Sequence, residues 1–162
     1  RYDKWMKKSI AGFKHDGRKE YADFYIRHMA GNYGRQLLRY GVTVLVPVPI
    51  SAKRRRYRGF NQTELLADRL AKELGITSAR LIKRVRNTAP LSGLSPAERM
   101  RNLRDAFCWD EKEALKWEEL PRTVALVDDI FTTGTTLEAC TRVLSEHGIS
   151  SVYGICICIG ND

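Results

Sequence analysis

The sequence predicts an α/β fold, with a central, mostly parallel sheet of about five strands flanked by helices. Three observations carry this. Continuous apolar runs at 42–48, 124–127 and 152–159 have the length of strands covered on both faces. Segments with helical periodicity lie between them. Strands alternating with helices imply parallel pairing through right-handed crossovers. A chain of 162 residues fits one domain, 1–162, around a single core.

Residues 2–10 read as a short helix. In 18–40, Tyr21, Phe24, Tyr25, His28 and Met29 recur at helical spacing, which makes His28 a packing or surface residue rather than a ligand. Residues 42–48 form a buried strand that Pro47 and Pro49 keep short. Leu66, Leu70 and Leu74, four apart, mark a helix over 61–74. A short strand at 81–85 precedes loop-like residues 87–100, which hold Pro90, Gly93 and Pro96. Inside that loop, Ser95-Pro96-Ala97-Glu98 has the cap, proline and acid order of a helix start. Residues 106–109 are a further strand, and 111–120 are charged and peripheral, with Trp117 the odd apolar residue. The strand at 124–127 ends in Asp128 and Asp129. The helix after it has Leu137, Cys140, Thr141 and Leu144 on one face, and Gly148 stops it.

The stretch from Val124 to Thr136 carries the chemistry. Ligands of parallel sheets bind beyond the carboxyl ends of strands, where Asp128 and Asp129 fall. Adjacent carboxylates repel unless hydroxyls or a cation satisfy them, as a polyol, Mg²⁺ through water, or both would. Thr132, Thr133, Gly134, Thr135 and Thr136 then supply hydroxyls and room for backbone to close on an anion at a helix start. A sugar phosphate offers both chemistries at that distance. Neither G-x-x-x-x-G-K-[ST] nor G-x-G-x-x-G occurs, so a Walker-type ATP loop and a dinucleotide fold have no support.

Val124–Thr136 resembles the phosphoribosyl-pyrophosphate (PRPP) motif of type I phosphoribosyltransferases, a hydrophobic strand, two acids and a Thr-Thr-Gly loop. Val46-Pro-Val-Pro49 followed by Arg58-Gly-Phe-Asn-Gln62, Arg99-x-x-Asn102-x-x-x-Ala106-Phe107, and Phe13-Lys14 before Gly17 are similar to the ComF family of competence proteins. The match runs from about residue 13 to 158. It implies a type I phosphoribosyltransferase-like fold in which Asp128 and Asp129 face the ribose hydroxyls and residues 132–136 wrap the 5′-phosphate. It further implies a loop at 95–101 that closes over PRPP, with Arg99 as a cap on the closed site; a plain surface turn is the other reading. The segment after Val-Pro-Val-Pro, with Ile50, Ser51, Lys53, Arg54 and Arg58, is the pyrophosphate candidate. Mg²⁺ would be bound mainly through PRPP, with no metal site of protein ligands alone. Two departures stand out. Leu91 sits where the family usually has a Gln after the Thr matching Thr88, and the family's four-cysteine zinc ribbon is missing, which suggests a fragment lacking an upstream zinc-binding region.

Composition bounds the rest. Lys and Arg number 28 against 19 acids, a net charge of +9 that favours polyanionic partners. Lys53, Arg54, Arg55, Arg56 and Arg58 concentrate that charge, either as a solvated loop or as a contact for phosphate or nucleic acid. Cys108, Cys140, Cys156 and Cys158 read as small buried hydrophobes in a reducing compartment, with cytoplasmic location as the default. No apolar run reaches the length of a membrane span. The expectation is a Mg²⁺-dependent phosphoribosyltransferase with an unidentified acceptor. Two alternatives stay open: a module of DNA uptake, which the resemblance to the ComF family implies would handle single-stranded DNA beside a competence helicase, and a PRPP sensor without turnover.

Overall fold

A computed structural model describes residues 4–15, 20–86, 95–103 and 105–160. The chain opens with helices α1 (Lys4–His15) and α2 (Glu20–Met29). A π-helical turn (Ala30–Gly34) joins α2 to α3 (Arg35–Arg39). Strand β1 (Val44–Pro47), α4 (Ala52–Arg58), α5 (Gln62–Leu74) and β2 (Thr77–Ser78) follow. Next come β3 (Ile82–Arg84), α6 (Pro96–Leu103), β4 (Phe107–Trp109) and α7 (Glu111–Ala114). The chain then runs through β5 (Thr123–Phe131), α8 (Thr135–Glu146) and β6 (Ser151–Ile159).

Among the described residues the main sheet has four strands, all parallel, in the order β2-β1-β5-β6. The expected count was about five. Two of the expected strands, 81–85 and 106–109, pair antiparallel with each other as a separate β3–β4 ribbon, and the two-residue β2, which the sequence did not suggest, joins the main sheet instead. That ribbon is only three residues deep on each side, with Arg84 opposite Phe107.

Strand alternation builds two cores. Ala125 and Val127 of β5, with Leu45 of β1, face α1, α2 and α5, where Phe13, Tyr25, Leu66 and Leu70 are buried. Val124 and Leu126 face the other layer, with Leu81, Trp109, Cys140 and Leu144. Leu66 and Leu70 are fully buried, and Asn61 caps α5 by accepting a hydrogen bond from the Thr63 N–H. The capping order at Ser95 is realised at α6. The Glu98 N–H donates to Ser95 Oγ at 3.3 Å, and the Ser95 N–H donates to Glu98 Oε2 at 2.8 Å. His28 is exposed and accepts from the Asn32 amide through its backbone oxygen. No helix among the described residues is long and apolar enough to cross a membrane.

Candidate functional site

The register of β1 against β5 brings two distant segments together. Pro47 pairs with Val127, and the Val48 N–H donates to the Val127 carbonyl at 3.0 Å. β1 therefore leaves the sheet beside Val127 and runs on to α4, while β5 continues to Phe131 before the chain turns into α8.

Asp128 and Asp129 were expected beyond the strand end, but β5 continues through Phe131. Its neighbour β6 is equally long, and the pairs Asp128–Cys156, Ile130–Cys158 and Phe131–Ile159 extend the ladder past the acids. Being in a strand, the two carboxylates meet different neighbours. Asp129 is 6% exposed and its Oδ2 accepts from Gln62 Nε2 of α5 at 2.9 Å. Asp128 is half-buried, and its Oδ1 accepts from the Asp129 N–H at 2.8 Å. Asp128 also acts on Arg84, Cys140 and Cys156.

The loop after β5 makes the tight turn into a helix that the sequence predicts. Gly134 takes φ of 77° as the cap of α8, a conformation only glycine adopts cheaply. Thr133 and Thr135 hydroxyls bond each other at 2.9 Å. Thr132 and Thr133 are exposed, Thr136 is half-buried, and Thr135 is buried at the start of this 12-residue helix. The helix's first N–H groups and its dipole favour an anion there.

The basic run is a helix, not a loop. Ser51 caps α4 by accepting from the Arg54 N–H at 3.3 Å, and left-handed Gly59 ends it. A helix sorts its cations by face. Arg54 and Arg58, four apart, are half-buried. Lys53 and Arg56 are exposed on another side, so the structure does not bring Lys53 alongside Arg54 and Arg58. Arg55 is held by a two-pronged contact with Glu64, at 3.1 and 3.2 Å. Burial pulls the Arg58 guanidinium below its ordinary pKa; Asp129 opposes that shift and Arg54 adds to it. Ile50 is half-buried and Ser51 is spent as the cap.

The segment 58–62 becomes intelligible residue by residue. Arg58 ends α4, and Gly59 makes the left-handed corner. Phe60 packs edge-on to Phe13, with ring centroids 6.1 Å apart. Asn61 caps α5, and Gln62 reaches Asp129.

Sequence reasoning missed Arg84. Its guanidinium carbon lies 5.2 Å from the Phe107 ring centroid, and its Nε donates to the Arg86 carbonyl at 3.3 Å. Burial lowers its pKa and Arg54 does so further, while Cys140 and Asp128 act the other way. Its one sequence signal is a cation continuing the strand that starts at Leu81-Ile82. Arg99 lies on α6, and its side chain is outside the described residues, as are Gly17 and the segment 87–94 with Thr88 and Leu91. Burial and Asp128 push the Cys140 and Cys156 thiols well above their usual range. Cys140 and Cys158 are buried as expected, whereas Cys108 and Cys156 are only half-buried. Among the described residues no group of three or more His, Cys, Asp or Glu is placed to hold a metal ion.

The fold is that of the phosphoribosyltransferases. An adenine phosphoribosyltransferase superposes with a TM-score of 0.50 at 16% identity, over 91% of this chain and 73% of that one. The orotate phosphoribosyltransferase of Aeropyrum pernix gives 0.50 at 14%, over 90% and 74%. No protein-family model matches the chain. Competence protein F of Haemophilus influenzae is 38% identical over 110 residues, 67% of this chain and 46% of that protein. The DNA utilization protein YhgH of Salmonella typhi is 36% identical over 115 residues, 70% and 48%. Competence protein ComFC of Streptococcus pneumoniae is 28% identical over 152 residues, 93% and 62%. The chain belongs to this ComF family of phosphoribosyltransferase-like competence proteins. It spans about half the length of the first of these relatives.

Proposed function

We propose that this domain binds PRPP with Mg²⁺ and transfers its phosphoribosyl group to an acceptor. The observation that carries the reading is the convergence at one sheet rim of the acidic pair in β5 beyond the end of β1, a Thr-Gly loop opening α8, and the Arg54–Arg58 face of α4. A sugar bearing hydroxyls between two phosphate groups is complementary to all three. Asp128 and Asp129 would accept from the ribose hydroxyls. Residues 132–136 and the α8 N-terminus would take the 5′-phosphate, and Arg54, Arg58 and Arg84 the pyrophosphate. In transfer, the bond from ribose C1 to pyrophosphate oxygen breaks as one from C1 to the acceptor forms. The protein's part is to orient both partners and offset charge on the leaving pyrophosphate.

Two carboxylates at the rim fit Mg²⁺, which takes one or two protein carboxylates and otherwise substrate oxygens and water. Bound mainly through PRPP, it would share the charge of the leaving group. Arg99, on α6, would be a further cap on the closed site. Four free cysteines suit work in the cytoplasm. The names of the relatives suggest a role in DNA uptake during competence.

PRPP should raise the melting temperature in the presence of Mg²⁺, and Asp128→Asn with Asp129→Asn should remove that rise. A wild-type protein with no shift would overturn the reading, and a shift that survives both substitutions would overturn the site.

A second reading has its own observation. Residues 24–63 contain eight Lys and Arg and no acid, and Lys53 and Arg56 are exposed on the outer side of α4. That face suits contact with single-stranded DNA delivered to or from a helicase. Lys53→Ala with Arg56→Ala should weaken single-strand binding and flatten its salt dependence; unchanged binding sinks the assignment.

A further inference from the structure

We infer that Gln62 is the positioning residue of the sugar site, fixing Asp129 and presenting its own amide oxygen beside it; this rests on the PRPP reading above. Gln62 is 3% exposed, yet it carries a full carboxamide. Its Nε2 donates to Asp129 Oδ2 at 2.9 Å, across 67 residues of sequence. The orientation is settled by chemistry, since an amide oxygen against a carboxylate would be repulsive. One Asp129 oxygen is thereby engaged, and the rotation of the carboxylate is set.

Burial of such a group needs a reason. Among the described residues three buried side-chain polar atoms lack a hydrogen-bond partner: Arg58 Nε, Gln62 Oε1 and Ser78 Oγ. Two of these belong to the side chains that act on Asp129. One is a donor and the other an acceptor, so each is complementary to a hydroxyl, which both donates and accepts. An unmade hydrogen bond on a buried amide is a cost that packing alone does not return. The corner Arg58-Gly59-Phe60-Asn61-Gln62 is therefore a sugar-site element at its last residue and a phosphate element at its first.

The test is calorimetric titration of ribose 5-phosphate, and separately of pyrophosphate with Mg²⁺, into wild type, Gln62→Met, and the swap Gln62→Glu with Asp129→Asn. Gln62→Met should weaken ribose 5-phosphate by about tenfold or more. Pyrophosphate should change by less than about twofold. The swap restores an amide-to-carboxylate bond in reverse, so it should recover melting temperature without recovering sugar-phosphate affinity. Equal weakening of both ligands in Gln62→Met marks a merely structural role and overturns the inference, as does unchanged affinity for ribose 5-phosphate. If Gln62→Met fails to fold, the swap decides: sugar affinity recovered along with stability overturns the inference. A wild type that binds neither ligand overturns the PRPP reading instead.

Discussion

Gly134→Ala probes the phosphate loop where its geometry is most demanding. Gly134 has φ of 77°, and a Cβ built there would lie 3.1 and 3.2 Å from two carbons of the Phe131 ring. The left-handed backbone costs an L-residue about 1–2 kcal/mol. Phe131 is 37% exposed, so its ring can swing outward rather than strain a core, adding about 1 kcal/mol or less. The total is about 1–3 kcal/mol. Gly148 is the control. It has φ of 90° and nothing within 4 Å of a built Cβ, so Gly148→Ala carries the backbone cost alone. Urea denaturation should show both variants destabilised, Gly134→Ala at least as much as Gly148→Ala. Titration with PRPP and Mg²⁺ should then separate them. Moving Phe131 and the first turn of α8 should cost Gly134→Ala about tenfold or more in affinity. Gly148→Ala, at the far end of α8, should bind as wild type does. The reasoning is refuted if Gly134→Ala loses no stability, or if it binds PRPP as tightly as Gly148→Ala.

Four further outcomes are expected. Arg54→Gln with Arg58→Gln should abolish measurable pyrophosphate binding in calorimetry, while Lys53→Ala with Arg56→Ala leaves it within about twofold, because α4 sorts these cations onto different faces. Leu126→Ala, at 0% exposure in β5, should cost about 2–5 kcal/mol and lower Tm by roughly 5–15 °C in a thermal melt. The Ser95 hydroxyl and N–H hold the Glu98 carboxyl below its usual range. A depressed carboxylate stabilises above its unfolded pKa, about 4.3, and loses that contribution as pH falls through the folded value. Ser95→Ala should therefore reduce amide protection in α6 at pH 7, with the difference closing as pH drops below about 4 by hydrogen exchange. Cys140 and Cys156, whose thiols burial pushes up, should resist alkylation in the native protein at pH 8 and react on unfolding, as mass spectrometry would record.

What the chain discloses by itself is local. Val124 to Val127 is apolar without interruption, and it is a buried strand. Asn61 and the leucines behind it define α5, and Ser95 with Glu98 define the start of α6. These readings work because caps and periodicity act within a turn or two. The features that sequence reading missed have long-range causes. Nothing near Asp128 says that β5 will run on to Phe131; the length of β6, some 28 residues later, decides it. The cations of 53–58 show no apolar period, so their helix rests on Ser51 and Gly59 at its ends. The β3–β4 ribbon pairs two short strands distant in sequence with each other rather than with the main sheet. Gln62 has no role legible in the sequence, since its partner Asp129 lies 67 residues away in β5. Arg84 likewise takes its meaning from Asp128 and Arg54, which only the fold brings near.

A crystal structure with PRPP and Mg²⁺ bound tests the central claim most directly. The account expects the 5′-phosphate on residues 132–136 at the start of α8, the ribose hydroxyls at Asp128 and Asp129, and the pyrophosphate against Arg54 and Arg58. PRPP bound with its pyrophosphate on residues 132–136, or seated away from the rim where β1 ends beside β5, would contradict it.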